Sequence, residues 1–273
     1  MSTRILSCNG HIAPPHDLAP WGTSCTGAAF HSPDSAAPFE RHVRRGGNQL
    51  TTESCVAWSY AGAVWALLGY LGIPQEWMSV LDLYYRARAI TAGGDRTRIW
   101  DGGCRPDDAA RAARFGWCPD RFYQFFPSMK DEEPPWDVLV VVSQKDWLQP
   151  RRIVATGNDR SNSIRAALGA PYPHARPVLR GQSVDQPYLD WVPGTRPWVL
   201  SSRIKGNHME AALSYTPQGL AHVSSWGDSF DRVVSWDQVE AEETASDWIV
   251  DIDTAALENL INKVIVCGIS RSR

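Results

Sequence analysis

The chain has 273 residues, which is enough for one large domain or for two lobes around a buried core. Its hydrophobic fraction of 43% and charged fraction of 21% are those of an ordinary globular protein, which excludes fibrous, collagen-like and disordered classes. A net charge of −3 argues against a protein whose main task is to bind nucleic acid or an anionic membrane, so neither partner is expected.

The cysteines indicate a reducing compartment. The six of them form no Cys-x-x-Cys pair, so no metal or cofactor is expected. A metal cluster of Cys8, His11 and His16 and a disulfide between Cys104 and Cys118 stay open as alternatives. No apolar signal segment follows the N-terminus and no apolar stretch is long enough to cross a bilayer, which predicts a protein that is not Sec-secreted and is cytoplasmic or part of a virion.

The first half of the chain is predicted to be helical. Residues 1–40 are rich in proline and show no periodicity, so they are interpreted as an extended arm. Residues 55–71 are apolar on every face and predict a buried helix. Further helices are predicted at 76–90, at 106–116 and at 162–168.

The second half has the short alternating segments that are typical of an antiparallel sheet. A tail at 255–273 follows it, and the acidic run at 240–243 is interpreted as solvated surface. We expect an α+β protein with a helical lobe at about 41–135 and a β-rich lobe at about 136–254. The predicted strands are 138–142, 198–204, 209–215, 220–225, 232–236 and 248–252.

A cysteine at the start of the buried helix is the first candidate for chemistry. The dipole and the unpaired N–H groups of a helix N-terminus stabilise a thiolate, and Cys55 has this placement. Gln49 lies six residues upstream, in a glycine-rich approach to the helix. A side-chain amide beside a nucleophilic thiolate can donate to the oxyanion of an acyl-transfer reaction. The pair therefore predicts a thiol-dependent acyl-transfer site.

This arrangement resembles the active-site entry of papain-like cysteine peptidases, in particular bacterial and phage-type members. Four further motifs follow in the order of that family: a Tyr-Tyr-x-Ala-Arg helix at 84–88, a Phe-Gly-x-Cys-Pro segment at 115–119, the helical segment 163–168 and a Ser-Ser-Trp-Gly segment at 224–227. The resemblance covers about residues 40–252 and implies a two-lobed fold with the active site in the cleft between the lobes.

The resemblance also implies the roles of individual residues. Cys55 would be the nucleophile, His208 the general base and Gln49 the oxyanion donor. His208 lies 153 residues after Cys55, close to the separation of about 130–150 residues expected of such enzymes. His222 is a competing base, although a surface or core-edge histidine is the simpler interpretation.

The remaining positions of the family's site also have counterparts. Gly102 and Gly103 would pair with an extended substrate, and Trp226 would shield the imidazole from water. The asparagine that orients the imidazole in the family is Ser224 here, a shorter side chain, which implies reduced activity. Asp228 is an alternative for that role.

Two kinds of function follow from these residues. The first is a cysteine peptidase acting on a peptide or protein substrate; a related acyltransferase or isopeptidase shares the same residues. The second is a catalytically weakened papain-fold component of a larger assembly, such as a phage particle, with an assembly partner bound through the N-terminal arm or the C-terminal tail.

Overall fold

The computed structural model describes residues 20–21, 33–43, 48–114, 117–135, 147–192, 195–201, 203–226, 232–243 and 245–257. These residues form an α+β protein in which helices come first and a sheet follows. The helices are α1 Cys55–Tyr70, α2 Val80–Thr91, α3 Pro106–Arg114, α4 Gly157–Gly169, α5 Gln186–Leu189 and α6 Trp236–Ala241.

The helices largely follow the predicted positions. Helix α1 begins at Cys55 as predicted, and its side chains are buried on nearly every face. Helix α2 begins four residues later than predicted, because the Ser79 hydroxyl caps it by accepting the Asp82 N–H at 3.1 Å. Helix α4 begins earlier than predicted, at Gly157. The predicted end of the third helix lies outside the described residues.

The β-rich lobe is a single sheet with the strand order β1-β2-β7-β3-β4-β5-β6. Its neighbours run antiparallel except for β1, which is parallel to β2. The strands are β1 Pro20–Trp21, β2 Arg151–Ile153, β3 Val178–Val184, β4 Gly206–Thr216, β5 Gly219–Val223, β6 Arg232–Ser235 and β7 Ser246–Ile249.

The strand predictions were partly right. Strands β4 to β7 lie at the predicted segments beginning at 209, 220, 232 and 248. The predicted strand at 198–204 is wrong: its described residues form only an isolated bridge between Trp198 and Val234. Strand β3 was not predicted. The predicted strand at 138–142 lies outside the described residues.

The described parts of the N-terminal arm lie against the β-rich lobe. Strand β1 lengthens the sheet beside β2, and Ala36 forms a bridge with Tyr215 in β4. The boundaries predicted for the arm, the two lobes and the tail stay predictions, and residues 258–273 lie outside the described part. No described helix has the length and apolar character needed to cross a bilayer.

A cluster of buried ion pairs surrounds Arg180 on strand β3. The guanidinium of Arg180 on β3 contacts both carboxylate oxygens of Asp247 at 3.0 Å and that of Glu242 at 3.2 Å. Glu242 also accepts the Ser183 N–H. The interpretation of residues 240–243 as solvated surface is therefore wrong at Glu242, which is buried because Arg180 and the Ser183 amide satisfy its carboxylate.

Candidate active site

Cys55 occupies the first position of α1, the placement that favours a thiolate. The N-cap residue, Ser54, makes no side-chain bond to the helix N-terminus, because its hydroxyl lies 2.6 Å from the hydroxyl of Thr52. The amides of the first turn are thus left uncapped by that side chain. They can therefore stabilise negative charge on a sulfur or on an oxyanion.

Gln49 is held in the loop before α1 by hydrogen bonds of its backbone and of its side chain. Its backbone N–H donates to the Ser225 carbonyl at 2.7 Å, and its Oε1 accepts the Ser225 hydroxyl at 2.5 Å. Its Nε2 donates to the Thr52 carbonyl at 2.8 Å. An amide nitrogen carries two hydrogens, so one remains for an oxyanion.

The residue after Gln49 has an unfavourable backbone conformation. Leu50 has φ of +53°, a left-handed region that a residue with a Cβ rarely adopts. The side chain of Asn48 stabilises this turn by accepting the Leu50 N–H at 2.8 Å. The surrounding hydrogen bonds of Asn48 and Gln49 hold the loop in this strained conformation.

His208 lies near the start of β4 and is buried. Its ring stacks on Trp226, with centroids 3.7 Å apart and planes 18° apart. Neither ring nitrogen makes a hydrogen bond with a described residue. The Ser224 hydroxyl accepts the Trp226 N–H at 3.2 Å. Its predicted role in orienting the imidazole stays a prediction, and Asp228 lies outside the described residues.

Backbone contacts bring these residues together from the two lobes. The Ser59 hydroxyl lies 2.8 Å from the carbonyl oxygens of Cys55 and Met209, so its single proton can donate to either. Met209 directly follows His208 in β4. On the other side, Asn48 pairs with Trp226 in an isolated bridge. The loop with Gln49, the start of α1 and the start of β4 thus meet at one place.

The predicted substrate-binding turn is anchored to the same region through Asp101. This carboxylate accepts the Glu53 N–H at 3.0 Å and the Tyr84 hydroxyl at 2.6 Å, and it lies 3.0 Å from the Lys130 ammonium. Partial burial raises the pKa of Asp101, but these hydrogen bonds and the charge of Lys130 outweigh burial and hold the pKa below its usual value. Asp101 therefore fixes the turn to the residues that precede Cys55.

The two glycines of this turn have structural reasons for lacking a side chain. A Cβ on Gly102 would lie 2.4 Å from the Trp100 ring, and Gly103 has φ of +81°. Both N–H groups are engaged: Gly102 donates to the Trp100 carbonyl and Gly103 to the Tyr84 hydroxyl. A substrate that uses the Gly103 N–H therefore has to displace Tyr84.

A pocket of about 150 Å³ borders the turn. Arg88 is buried in its wall, where it bonds the Asp131 carboxylate at 2.7 Å and lies over the Tyr84 ring. Trp100 is exposed at the pocket's edge. The residues that line the pocket are Arg88, Thr91, Ala92, Arg98, Trp100, Gly102 and Gly103.

The reactive groups are closed to solvent in this structure. The exposed fractions of Cys55, Gln49 and His208 are 0%, 0% and 1%. A substrate carbonyl can reach the sulfur only if the cleft opens. This closure also keeps water from the thiol and the imidazole in the absence of substrate.

The other described cysteines differ from Cys55 in their surroundings. Cys104 and Cys118 are free thiols. Burial raises the pKa of both, and neighbouring acidic groups, Cys55 beside Cys104 and Asp82 beside Cys118, raise it further. Both thiols are protonated at neutral pH and poorly nucleophilic.

The second histidine lies beside the same strand. His222 is buried, and its Nδ1 lies 3.3 Å from Oε2 of Glu210. The surface alternative for His222 is therefore wrong, whereas a place at the edge of the core agrees with its burial. Glu210 itself was not predicted, although it lies two residues after His208 on the same face of β4. A glutamate inside an otherwise apolar strand was the signal available in the sequence.

The described residues contain no group of three histidine, cysteine or acidic side chains arranged to hold a metal ion. The proposed cluster of Cys8, His11 and His16 lies outside them.

Comparison by sequence identifies no relatives: no protein-family model matches the chain, and no curated protein matches it. Comparison of structures finds proteins of similar fold. Xylellain, a cysteine protease from Xylella fastidiosa, has a TM-score of 0.71 at 15% identity, over 93% of this chain and 99% of that one. The proCathepsin B S9 of Trypanosoma congolense has a TM-score of 0.61 at 13% identity, over 89% and 85%.

A plant protein is similar as well. The bromelain protease of Ananas comosus, solved in complex with the inhibitor E64, has a TM-score of 0.57 at 13% identity, over 81% of this chain and all of that one. The expected α+β, papain-like two-lobed fold is therefore confirmed. At these identities the likeness establishes the fold.

Proposed function

We propose that this protein is a cysteine peptidase that hydrolyses peptide or amide bonds through Cys55 and His208. The observation that carries the proposal is the meeting of three separate segments: the loop with Gln49, the N-terminus of α1 and the start of β4. The papain-like fold and its cysteine protease neighbours support the same activity.

The first half of the reaction forms an acyl-enzyme. His208 takes the thiol proton, and the Cys55 sulfur attacks the substrate carbonyl. The Cys55 N–H and the second Nε2 hydrogen of Gln49 donate to the oxyanion, where each such donor contributes roughly 10²–10³ in rate. As the C–N bond breaks, His208 gives its proton to the leaving amine, and the acyl group stays on sulfur as a thioester.

The second half releases the acyl group. A water molecule attacks the thioester while His208 accepts its proton, and the Gln49 amide again stabilises the oxyanion. Breaking the C–S bond frees a carboxylic acid, and His208 returns its proton to the sulfur, which restores the thiol. The substrate chain would extend along the turn at Gly102 and Gly103, with one side chain in the pocket beside Trp100.

The test is a comparison of thiol variants in the full-length chain. Cys55→Ala is expected to abolish hydrolysis of fluorogenic peptide amides and to abolish labelling by E64, the inhibitor bound to the similar bromelain structure. Cys118→Ala removes another buried thiol and is expected to keep both the peptide hydrolysis and the labelling. Labelling and hydrolysis that persist in Cys55→Ala would contradict the proposal.

The closure of the site favours a second function. A catalytically weakened component of a larger assembly, for example a phage particle, would retain the fold with a buried thiol that substrates do not reach. The rate of Cys55 alkylation as a function of pH separates the two. A thiol pKa near the ordinary value of about 8.5 favours the assembly component, and a pKa well below neutral favours the peptidase.

A further inference from the structure

A buried carboxylate lies beside the proposed general base. Glu210 is 0% exposed and sits two residues after His208 in β4, so both side chains project from the same face of the sheet. Its Oε1 lies 3.7 Å from Nε2 of His208. This distance is that of an ion pair slightly too long for a hydrogen bond, a geometry that commonly tightens when substrate binds.

The other carboxylate oxygen is already engaged. The Tyr188 hydroxyl donates to Oε2 of Glu210, and Nδ1 of His222 on β5 lies 3.3 Å from the same oxygen. Gln182, which pairs with His208 across β3 and β4, donates to the Tyr188 hydroxyl at 3.3 Å. Oε1, in contrast, makes no hydrogen bond with a described residue. The carboxylate is therefore fixed with Oε1 towards His208.

The charges around Glu210 also support an interaction of its carboxylate with His208. Burial raises the pKa of its carboxyl, but the hydrogen bonds and positive charge that His222, His208 and Tyr188 supply outweigh burial and hold it below its usual value. Arg180 pairs with Glu210 across the strands but is bonded to Asp247 and Glu242.

Two arginines near Glu210 and Tyr188 are bonded to other groups. The Arg180 charge is balanced by its own carboxylates, and Arg232, whose guanidinium lies 5.7 Å from the centre of the Tyr188 ring, donates to the Tyr188 carbonyl at 2.9 Å. A buried carboxylate that stays ionised needs a positive partner. The described side chains placed to supply such a partner are the imidazoles of His208 and His222.

We propose that Glu210 is the positioning residue of the His208 imidazole, holding Nε2–H with Oε1 so that Nδ1 is directed to the Cys55 thiol. The inference rests on the proposed cysteine peptidase function. Glu210 takes the orienting part that the family resemblance gives to position 224, where the Ser224 hydroxyl is bonded to the Trp226 N–H. A carboxylate, unlike an amide, also stabilises the charge of the imidazolium.

A nearby carboxylate favours the charged form of an imidazole, so the charge of Glu210 acts on His208 across the 3.7 Å between them. In Glu210→Gln the His208 pKa is expected to be lower than in the unaltered protein. The side chain keeps nearly the same shape and can still bond Tyr188, so a purely structural role of Glu210 would leave the His208 pKa unchanged.

The decisive measurement is an NMR titration of the imidazoles in the full-length chain, with His208 and His222 assigned from the spectra of His208→Gln and His222→Gln. The matched control is Glu242→Gln, the same substitution at a buried glutamate whose carboxylate contacts Arg180. We expect the His208 pKa to fall in Glu210→Gln and to stay in place in Glu242→Gln. An unchanged His208 pKa in folded Glu210→Gln overturns the proposal.

A measurement on the unaltered chain covers the case in which Glu210→Gln does not fold. The ¹⁵N shifts of neutral His208 report which nitrogen keeps its hydrogen. If Glu210 holds Nε2–H, the neutral ring is the Nε2–H tautomer. An Nδ1–H tautomer contradicts the proposal.

Kinetics then separate this inference from the function on which it rests. In a thiolate–imidazolium pair, the alkaline limb of kcat/KM reports loss of the imidazolium proton, so it is expected at lower pH in Glu210→Gln. A limb that moves in Ser224→Ala but stays in Glu210→Gln overturns the proposal. If the titration shifts but the unaltered protein hydrolyses no peptide, the peptidase function is wrong and the pairing of Glu210 with His208 stands.

Discussion

The ring of Trp226 lies almost flat on the imidazole of His208, with centroids 3.7 Å apart. The indole covers one face of the ring, and the bridge between Trp226 and Asn48 ties it to the loop that carries Gln49. One aromatic residue therefore contacts the proposed base and connects it to the proposed oxyanion donor.

Replacing this indole tests how strongly it fixes the imidazole. Trp226→Ala is expected to reduce kcat/KM for a peptide amide by about 10–100-fold, because the ring of His208 can then rotate away from its reactive orientation. Trp226→Phe keeps a flat ring on the imidazole and is expected to retain most of the activity. Equal activity of the alanine variant and the unaltered protein would show that the stacking has no catalytic role.

Asp101 gives the stability a predictable pH dependence. Its pKa is lowered in the folded state, so its contribution is present above the ordinary value of about 3.9 and is lost as pH falls through the lowered folded value. Asp101→Asn is expected to lower the free energy of unfolding by about 1–2 kcal/mol near neutral pH, because hydrogen bonds to a charged group are lost.

Urea unfolding of both proteins at about pH 7 and about pH 3 measures this dependence. The difference between the unaltered protein and Asp101→Asn should shrink at the acid pH, because that pH lies below the ordinary carboxyl pKa of about 3.9 and part of the stabilisation by the Asp101 charge is lost there. A difference of the same size at both values would mean that the charge of Asp101 contributes nothing.

Leu50 tests whether the loop before α1 is strained. A left-handed backbone costs a residue with a Cβ about 1–2 kcal/mol, and the Leu50 side chain is 55% exposed, so little burial opposes its removal. Leu50→Gly is expected to raise the free energy of unfolding by up to about 1 kcal/mol, after the entropy that glycine adds to the unfolded chain. Leu50→Ile should lower it, because a branched Cβ fits this region worst. Denaturant unfolding that ranks the three proteins in another order contradicts the strain.

Substitution of Gly102, which contacts Trp100, distinguishes an effect on substrate binding from an effect on stability. A Cβ at residue 102 would displace the Trp100 ring, which is 67% exposed and can move. Gly102→Ala is therefore expected to change the free energy of unfolding by only about 0.5 kcal/mol while raising KM, because the displaced indole enters the neighbouring pocket. In Trp100→Ala the same glycine substitution should have little further effect on KM. A change in kcat alone would place the effect at the chemistry instead.

The residues of the candidate site that could be predicted from the sequence are those marked by a local sequence pattern. Cys55 and Gln49 lie six residues apart, and the apolar pattern from residue 55 onwards marks the helix start directly. His208 followed from its place in a strand and from the family motif. Each of these signals is contained in a few neighbouring residues.

Features that depend on distant partners could not be predicted. Strand β3 contains Arg180 and Gln182, which by sequence alone look like surface residues. In the structure, Arg180 donates to the Asp247 carboxylate and Gln182 donates to the Tyr188 hydroxyl. The same is true of Glu210, whose partners come from two other elements. Conversely, the segment from residue 198 has strand-like composition, but it bonds the sheet mainly through Trp198.

The Ser59 hydroxyl constrains how the closed cleft can admit a substrate. It joins the first turn of α1 to Met209 in β4, so it is a fixed point shared by the two lobes. A sliding motion would break this buried hydrogen bond at a cost of about 1 kcal/mol, whereas a tilt about it would leave the bond intact. The cleft should therefore open like a hinge with its pivot at residue 59, and the walls farthest from that residue should separate most.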